Sequence, residues 1–358
     1  MFEGRKTFYE EWVEHEGLEI IRGFHIDDMM KLGLRWWDRI GGAAVQIDLE
    51  GTGDLAGAYV CEIEGGKELK PQRHIYEEMI YVMSGRGATS VWYEGWPKLT
   101  FEWEPGSLFA IPLNAWHQHY NAAGHTSLRY LSVTTAPIVL SLYRNPEFVF
   151  NNPAVFPERY DGKSDYFSRS DDSVNQVLES NLIANVNNLK MPAEEGAKVS
   201  RGKGTSNYLI EMANGILGAH ILEISPGIYS KLHRHGPGAH VIWLAGEGYT
   251  LTFPDGGEKK RVDWKPGTML VPPTWWWHMH CVTSKEPGKH LALKLNSLRR
   301  PLTHMHDGTV TSVKEGGNQY DMEDLDPELA EYIHSTFVRE CEKHGTPVRM
   351  SHPLNGGA

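Results

Sequence analysis

Two stretches of the chain repeat each other at a constant offset of 161 residues. The first runs Gln72-Arg73-His74, Gly85, Trp103, Pro105-Gly106, Pro112 and Trp116-His117-Gln118-His119. The second runs His233-Arg234-His235, Gly246, Trp264, Pro266-Gly267, Pro273 and Trp277-His278-Met279-His280. No net insertion separates any matched pair, so the chain must fold as two copies of one domain. Differences between the copies then mark where chemistry resides.

Each copy is written in short β-like runs. AAVQIDL, AYVCEIE, MIYVM, ATSVWY, LTFEW, LFAIP and LRYLSVT follow one another from about residue 43, and GAHILEI, HVIWLA, YTLTF, RVDW, TMLVP and LALKL repeat the texture. Turns rich in Gly, Pro or charge separate them, as in an antiparallel sandwich or barrel. The 37 Gly and 20 Pro in 358 residues suit that architecture better than long helices. We expect an all-β chain with a helical segment over 1–42, a first barrel over 43–140, a connection over 141–205, a second barrel over 206–300 and a helical tail over 301–358. Within the ends, TFYEEWVEHE (7–16) and DDMMKLGLRWWDRI (27–40) read as short helices. DLDPELAEYIHSTFVRECEKHG reads as a longer one: Asp326 caps it, Pro327 suits its first turn, Leu329, Tyr332, Ile333 and Phe337 share a face, and Gly345 stops it. That stripe needs a partner, either its own barrel or a neighbouring subunit. The connection is expected to pack over the barrels, and the terminal SHPLNGGA to fray.

The net charge of -11 excludes nucleic acid and anionic membrane as natural partners. No apolar run approaches the length of a bilayer span, and the charged N-terminal sequence lacks the apolar stretch of a signal peptide. Cys61, Cys281 and Cys341 are odd in number and form no CxxC pair, which argues for a reduced, cytoplasmic setting.

The histidines carry the chemistry. His233 and His235 are two apart, so on a strand both leave the same face, and His278 and His280 do likewise on a later strand. Imidazoles converging from two strands make a preformed site that suits iron, copper, nickel or zinc. Arg73 and Arg234, between the paired positions, point away.

These stretches resemble the two motifs of the cupin superfamily. Gly227, His233, His235 and Gly246, then Gly267, Pro273 and His278, fit the motifs in the second copy; Trp275 and Val282 stand where the second motif has Gly and Asn. In the first copy His74, Glu78 and Gly85, then Gly106, Pro112, His117 and Asn121, fit them, with Gln72 in place of the first histidine and Asn114 in place of a glycine. The resemblance implies two tandem jelly-roll barrels, a bicupin. Ala239 replaces the acidic ligand of the second copy and leaves His233, His235 and His278 as the metal triad. That pattern is similar to gentisate and salicylate 1,2-dioxygenases, whose three-histidine iron(II) centre lies in the N-terminal copy; here the cleaner triad is C-terminal. A neutral triad leaves the ion's charge uncompensated and favours an anionic, chelating substrate beside an open position for O2.

The second candidate set is Gln72, His74, Glu78 and His117. It could hold a metal, but glutamine is a weak ligand, and a buried hydrogen-bonded network is the preferred reading. His280 is open between an acid–base role and barrel filling. His240, one residue out of register with Glu78, reads as a core or surface histidine unless a bulge turns it inward. The Trp275-Trp276-Trp277 run could wall a substrate pocket, though Trp277 reads better as core.

The leading expectation is an iron(II) dioxygenase that cleaves a carbon–carbon bond of a small hydroxy-aromatic, enolic or diketone-like substrate with O2, in a homo-oligomer; nickel, manganese, copper and zinc remain open. The second is a redox-neutral metal-dependent lyase, isomerase or decarboxylase. The oxalate decarboxylases, the nearest bicupins of that type, carry HxHxxxE in both copies, a pattern that Gln72 and Ala239 break. The third is a non-catalytic binding or storage protein.

Overall fold

Period-two alternation along the strands decides how the chain is layered. On Gly288–Lys294, His290, Ala292 and Lys294 turn inward, while Leu291 and Leu293 turn outward and are completely shielded. Leu128–Thr134 repeats the pattern, with Tyr130 and Ser132 inside and Leu131 and Val133 outside. The outward residues of the two copies meet: Val60, Leu131 and Val133 share one apolar layer with Ile221, Leu291 and Leu293. At roughly 1.5–3 kcal/mol for each large side chain buried, this layer holds the two barrels face to face. The computed structural model describes residues 4–174, 177–192, 201–295, 297–304 and 307–350. The terminal SHPLNGGA lies outside the described residues.

Each barrel closes a large sheet over a three-stranded one. In the first, Gly42–Ile47, Gly57–Ile63, Leu128–Thr134, Glu78–Ser84 and Leu108–Ile111 lie side by side, opposite Trp116–Asn121, Gly87–Trp92 and Leu99–Trp103. In the second, Thr205–Glu211, Gly218–Ile224, Gly288–Lys294, His240–Ala245 and Met269–Leu270 face Lys260–Trp264, Gly248–Phe253 and Trp277–Val282.

The barrels also exchange edges. His25–Ile26 pairs with Met269–Leu270 of the second barrel, and Leu182–Ile183 pairs with Leu108–Phe109 of the first. The two straps lie 157 residues apart and are built alike. Asp28 and Asn185 each cap the 3-10 turn that follows, over Met29–Lys31 and Val186–Asn188. The amides of Met29 and Val186 donate to Gly267 and Gly106, and the hydroxyls of Thr268 and Ser107 donate to the carbonyls of Asp27 and Ala184. The stretch between the barrels therefore carries the second copy's counterpart of the N-terminal strap, and covers both sheet edges.

One helical expectation changes. TFYEEWVEHE forms α1 (Phe8–His15) with a capping box from Thr7 and Glu10. DDMMKLGLRWWDRI is not a helix: it gives the short 3-10 turn and then the strand Arg35–Trp37 on Gly42–Ile47. Strap pairing and Gly33 outweigh its weak periodicity. Two further helices, α2 (Ala136–Tyr143) and α3 (Pro146–Phe150), follow the first barrel. The last, α4 (Pro327–His344), has the expected Asp326 cap and a left-handed Gly345. It packs on its own barrel: Phe337 meets Tyr229 edge-on at 4.9 Å, and Ile333 and Cys341 are buried. Tyr332, expected on the apolar face, is 41% exposed. The partner surface this helix needs is thus internal. Cys61, Cys281 and Cys341 are free and buried, and no described helix is long and apolar enough to cross a membrane.

Candidate metal centre

The chain reaches the second barrel's interior through Leu232–His235, which runs beside Trp277–Val282 as a single bridge between His233 and His278 rather than as a regular strand. The expectation of two histidines on one strand face is corrected in that respect. The backbone of His233 still both donates to and accepts from His278, and this reciprocal pair fixes the approach of the two rings. Their centroids lie 4.2 Å apart, and that of His235 is 4.9 Å from His278. One ring nitrogen from each of His233, His235 and His278 falls within 4.8 Å of the other two.

Tautomers follow from the backbone. Nδ1 of His233 donates to the Lys231 carbonyl, and Nδ1 of His278 to the Trp276 carbonyl, both at 3.0 Å. With the proton on Nδ1, the Nε2 lone pair is left for a ligand. Burial, reinforced for His233 by Arg201 and the other two rings, holds His233 well below the usual histidine range. Burial brings His278 to about 4. Neutral, pre-oriented imidazoles are the form that a divalent transition metal binds.

The triad opens on a cavity of about 160 Å³. Besides the three rings it is lined by His220, His280 and His290, by Arg201 and Lys294, and by apolar groups that include Leu209, Leu222, Ala239 and Val241. No aspartate or glutamate among the described residues lines it. Ala239 and Val241 face inward, so His240 between them points away; it is fully buried and is not among the clustered ring nitrogens. His280 shares a 2.8 Å hydrogen bond between Nδ1 and the Thr250 hydroxyl, and its ring stands 5.1 Å from that of His290. The tryptophan run stays outside the cavity. Trp277 packs on Tyr320, Trp276 lies near Phe24, and Trp275 is exposed. Trp275 has φ +63°, the left-handed conformation that the motif's glycine would adopt without strain; its counterpart Asn114 keeps the same conformation at φ +56°.

The first barrel brings His74, Glu78 and His117 together by the same construction. Gln72 takes the backbone place of His233, bridging to His117. Here the carboxylate is already engaged. One Glu78 oxygen accepts from the hydroxyls of Tyr59 and Ser132; the other faces Nε2 of His74 at 3.0 Å and of His117 at 3.7 Å. Burial opposes its charge, but the hydrogen bond and charge of His74, followed by His117 and Ser132, hold it far below the usual carboxylate range. Burial and the charge of His74 hold His117 at about 3. Tyr76 stacks on His74 at 3.6 Å. Arg73 and Arg234 point outward, over Trp116 and Trp277.

The motifs did not reveal Arg201, His220, His290 or Lys294. His290 and Lys294 are two and six residues after Gly288 on one inward-facing register, so alternation could have flagged them. Arg201 precedes the repeat, and only the tertiary fold brings it to the cavity.

Residues 59–134 match the family model of the cupin domain. The fold is a bicupin. Solved structures with this arrangement include an oxalate decarboxylase (TM-score 0.51, 13% identity, 92% of this chain and 88% of that one). A mutant oxalate decarboxylase of Bacillus subtilis gives a TM-score of 0.50 at 11% identity, over 93% and 88% of the two chains. A vicilin from Corylus avellana (hazelnut) gives 0.50 at 12%, over 89% and 96%. No curated protein matches the sequence. A decarboxylase and a vicilin share the architecture, so the fold does not choose a function.

Proposed function

We propose that the second barrel holds a divalent metal, iron(II) in the leading reading, on His233, His235 and His278, and that it oxidises a small anionic substrate with O2. One observation carries this: three imidazoles converge within 4.8 Å without a carboxylate, in front of a cavity that contains two basic side chains. When bound, the ion would supply a chelating site for adjacent substrate oxygens and an open position for O2.

The chain's own residues do the rest. The Lys231 and Trp276 carbonyls hold two ligand rings in the metal-binding tautomer. Leu209, Leu222, Ala239 and Val241 exclude water from one side. Arg201 and Lys294 offset substrate charge. His280, neutral and oriented by Thr250, can accept a proton at Nε2 as one leaves the substrate. A cavity of about 160 Å³ has room for one ring or a short-chain acid, since an engineered apolar cavity of about 150 Å³ admits benzene.

The test is metal analysis of anaerobically purified protein, followed by O2 uptake on a panel of hydroxy-aromatics, β-diketones and small hydroxy acids. His233→Ala should lose the second-barrel ion and all activity, and Gln72→Ala should keep both. If neither substitution alters metal content and activity, the assignment is wrong. A second reading, the redox-neutral lyase or decarboxylase, is supported by the row of His280, His290 and His220 beside the triad, with ring spacings of 5.1 and 5.6 Å, which suits proton transfer. Bound metal without O2 uptake across the panel would favour it, and absence of bound metal would favour a non-catalytic binding protein.

A further inference from the structure

The cavity of the second barrel is lined by two sets of polar side chains of different chemistry. One is the three candidate metal ligands. The other is Arg201, Lys294, His220 and His290, which come from three separate pieces of chain: the entry to the barrel, the strand Gly218–Ile224 and the strand Gly288–Lys294.

No carboxylate among the described residues lines the cavity beside these donors. The hydrogen bonds of Arg201 run from one terminal nitrogen to the Thr309 carbonyl at 2.7 Å and the Gln319 side-chain oxygen at 2.9 Å, both neutral acceptors. Two of its five N–H groups are thereby held, and by uncharged acceptors. Lys294 has Glu211 within electrostatic reach. The Glu211 oxygens, however, are taken by the Ser297 hydroxyl and the Leu298 amide. Nδ1 of His290, on a ring 1% exposed, has no hydrogen-bond partner. A buried orphan donor or acceptor is destabilising, and a buried uncompensated charge more so. An arrangement of that kind persists where a ligand completes it.

The first barrel supplies the control. Its equivalents of His220, His290, Ala292 and Lys294 are Tyr59, Tyr130, Ser132 and Thr134, paired across the same strands. There the interior is neutral apart from Glu78 and its histidines, and the carboxylate belongs to the protein. In the second barrel the protein provides the cations and omits the carboxylate.

We propose that Arg201 and Lys294 bind a second carboxylate of the substrate, distinct from the metal-chelating oxygens, so that the substrate class is a short diacid with a 2-hydroxy or 2-oxo group at one end. This deepens the metal-site reading above and rests on it for the chelating end only. The second carboxylate takes a charge-assisted bond from the Arg201 guanidinium and another from Lys294. The cavity's volume limits the diacid to a few carbons, and the metal triad and the basic pair together fix which end of the acid is presented to the reaction.

The experiment is calorimetric titration of the protein loaded with zinc, a redox-silent ion. Two matched probes are used, malate and 2-hydroxybutanoate, which share the chelating end and differ in the second carboxylate. Malate should bind about 10- to 100-fold more tightly, the range for a charged hydrogen bond of roughly 1.5–3 kcal/mol. Arg201→Gln and Lys294→Met should each bring that ratio towards unity with zinc stoichiometry unchanged. Equal affinity of wild type for the two acids overturns the proposal, as does a preference for malate undiminished in both folded variants. Propionate titrated into metal-free protein separates the two readings. Binding that Arg201→Gln and Lys294→Met weaken supports the anion site even if no metal is ever found, whereas propionate binding insensitive to both overturns it. Thermal unfolding of each variant identifies any that fails to fold, and the other then carries the test.

Discussion

The two barrels share a backbone plan and differ in what they do with charge. Both hang a histidine cluster on the same bridge, Gln72 to His117 and His233 to His278, and both seat a histidine on a threonine at 2.8 Å, His119 on Thr89 and His280 on Thr250. The first barrel then satisfies its cluster internally: Glu78 meets His74, His117, Tyr59 and Ser132. The second deletes the carboxylate at Ala239 and faces its rings into an open cavity with basic side chains. A duplicated frame can thus serve as a closed polar core in one copy and a receptive site in the other. The threonine–histidine pair occurs in both, so that hydrogen bond belongs to the frame, and the open cavity beside His280 is what the second barrel adds.

Matched substitutions sharpen this contrast. The largest expected effect is on turnover. His280→Gln should lower kcat by about 10²–10⁴-fold, the usual worth of a positioned acid or base, while metal content stays unchanged. His119→Gln in the first barrel should leave kcat alone. Equal kcat values for His280→Gln and wild type would reduce His280 to barrel filling and erase the functional half of the comparison.

Next comes stability. Glu78→Ala strips the anion from a buried pair and leaves His74 facing an empty site, at a cost of about 3–5 kcal/mol. Urea unfolding would measure it, and the metal content of the second barrel should not change. Ala239→Glu should be tolerated far better, because Ala239 lines open space beside basic groups. If Glu78→Ala costs less than about 1 kcal/mol, the closed-network description of the first barrel fails.

The smallest effect at any one step of the measurement is in pH. Burial holds His240 at about 4 and, with Arg201, His290 at about 3, against about 6.5 in an unfolded chain. Above 6.5 both states are neutral and these groups contribute no slope. As pH falls from 6.5 towards 4 only the unfolded chain takes up protons, so stability falls by about 1.4 kcal/mol per pH unit for each histidine. Glu78 acts lower: its depressed pKa gives stability that is intact above the ordinary carboxylate range and is lost as pH falls below it. Urea midpoints of metal-free His290→Gln and wild type, measured from pH 8 to 4, should converge as the pH drops. Parallel curves would mean that His290 is not buried neutral.

Much of this was legible in the sequence because it depends on local rules. The 161-residue offset required two like domains, and the short strands between Gly and Pro turns required β structure. Asp326, Pro327 and Gly345 delimited α4 through hydrogen bonds that span only a few residues. The clustering of His233, His235 and His278, and of His74, Glu78 and His117, was readable because spacing along a chain limits which side chains can meet. The stretch 27–40 was misread because its apolar spacing is as compatible with a strap laid across another barrel as with a helix, and pairing with Met269–Leu270 is a contact of high sequence separation.

What only the tertiary structure decided is the second barrel's interior. Ala239 in place of an acid was visible in the string of letters, but whether the gap would be filled by a neighbour, closed by collapse or kept open was not. The fold kept it open and brought Arg201, Lys294, His220 and His290 around it from positions with no common motif. Sequence determines which groups a strand can present, through its alternation and turns. Which groups from different strands share one low-dielectric space, and so whether their charges offset each other or await a ligand, is set when the sheets close.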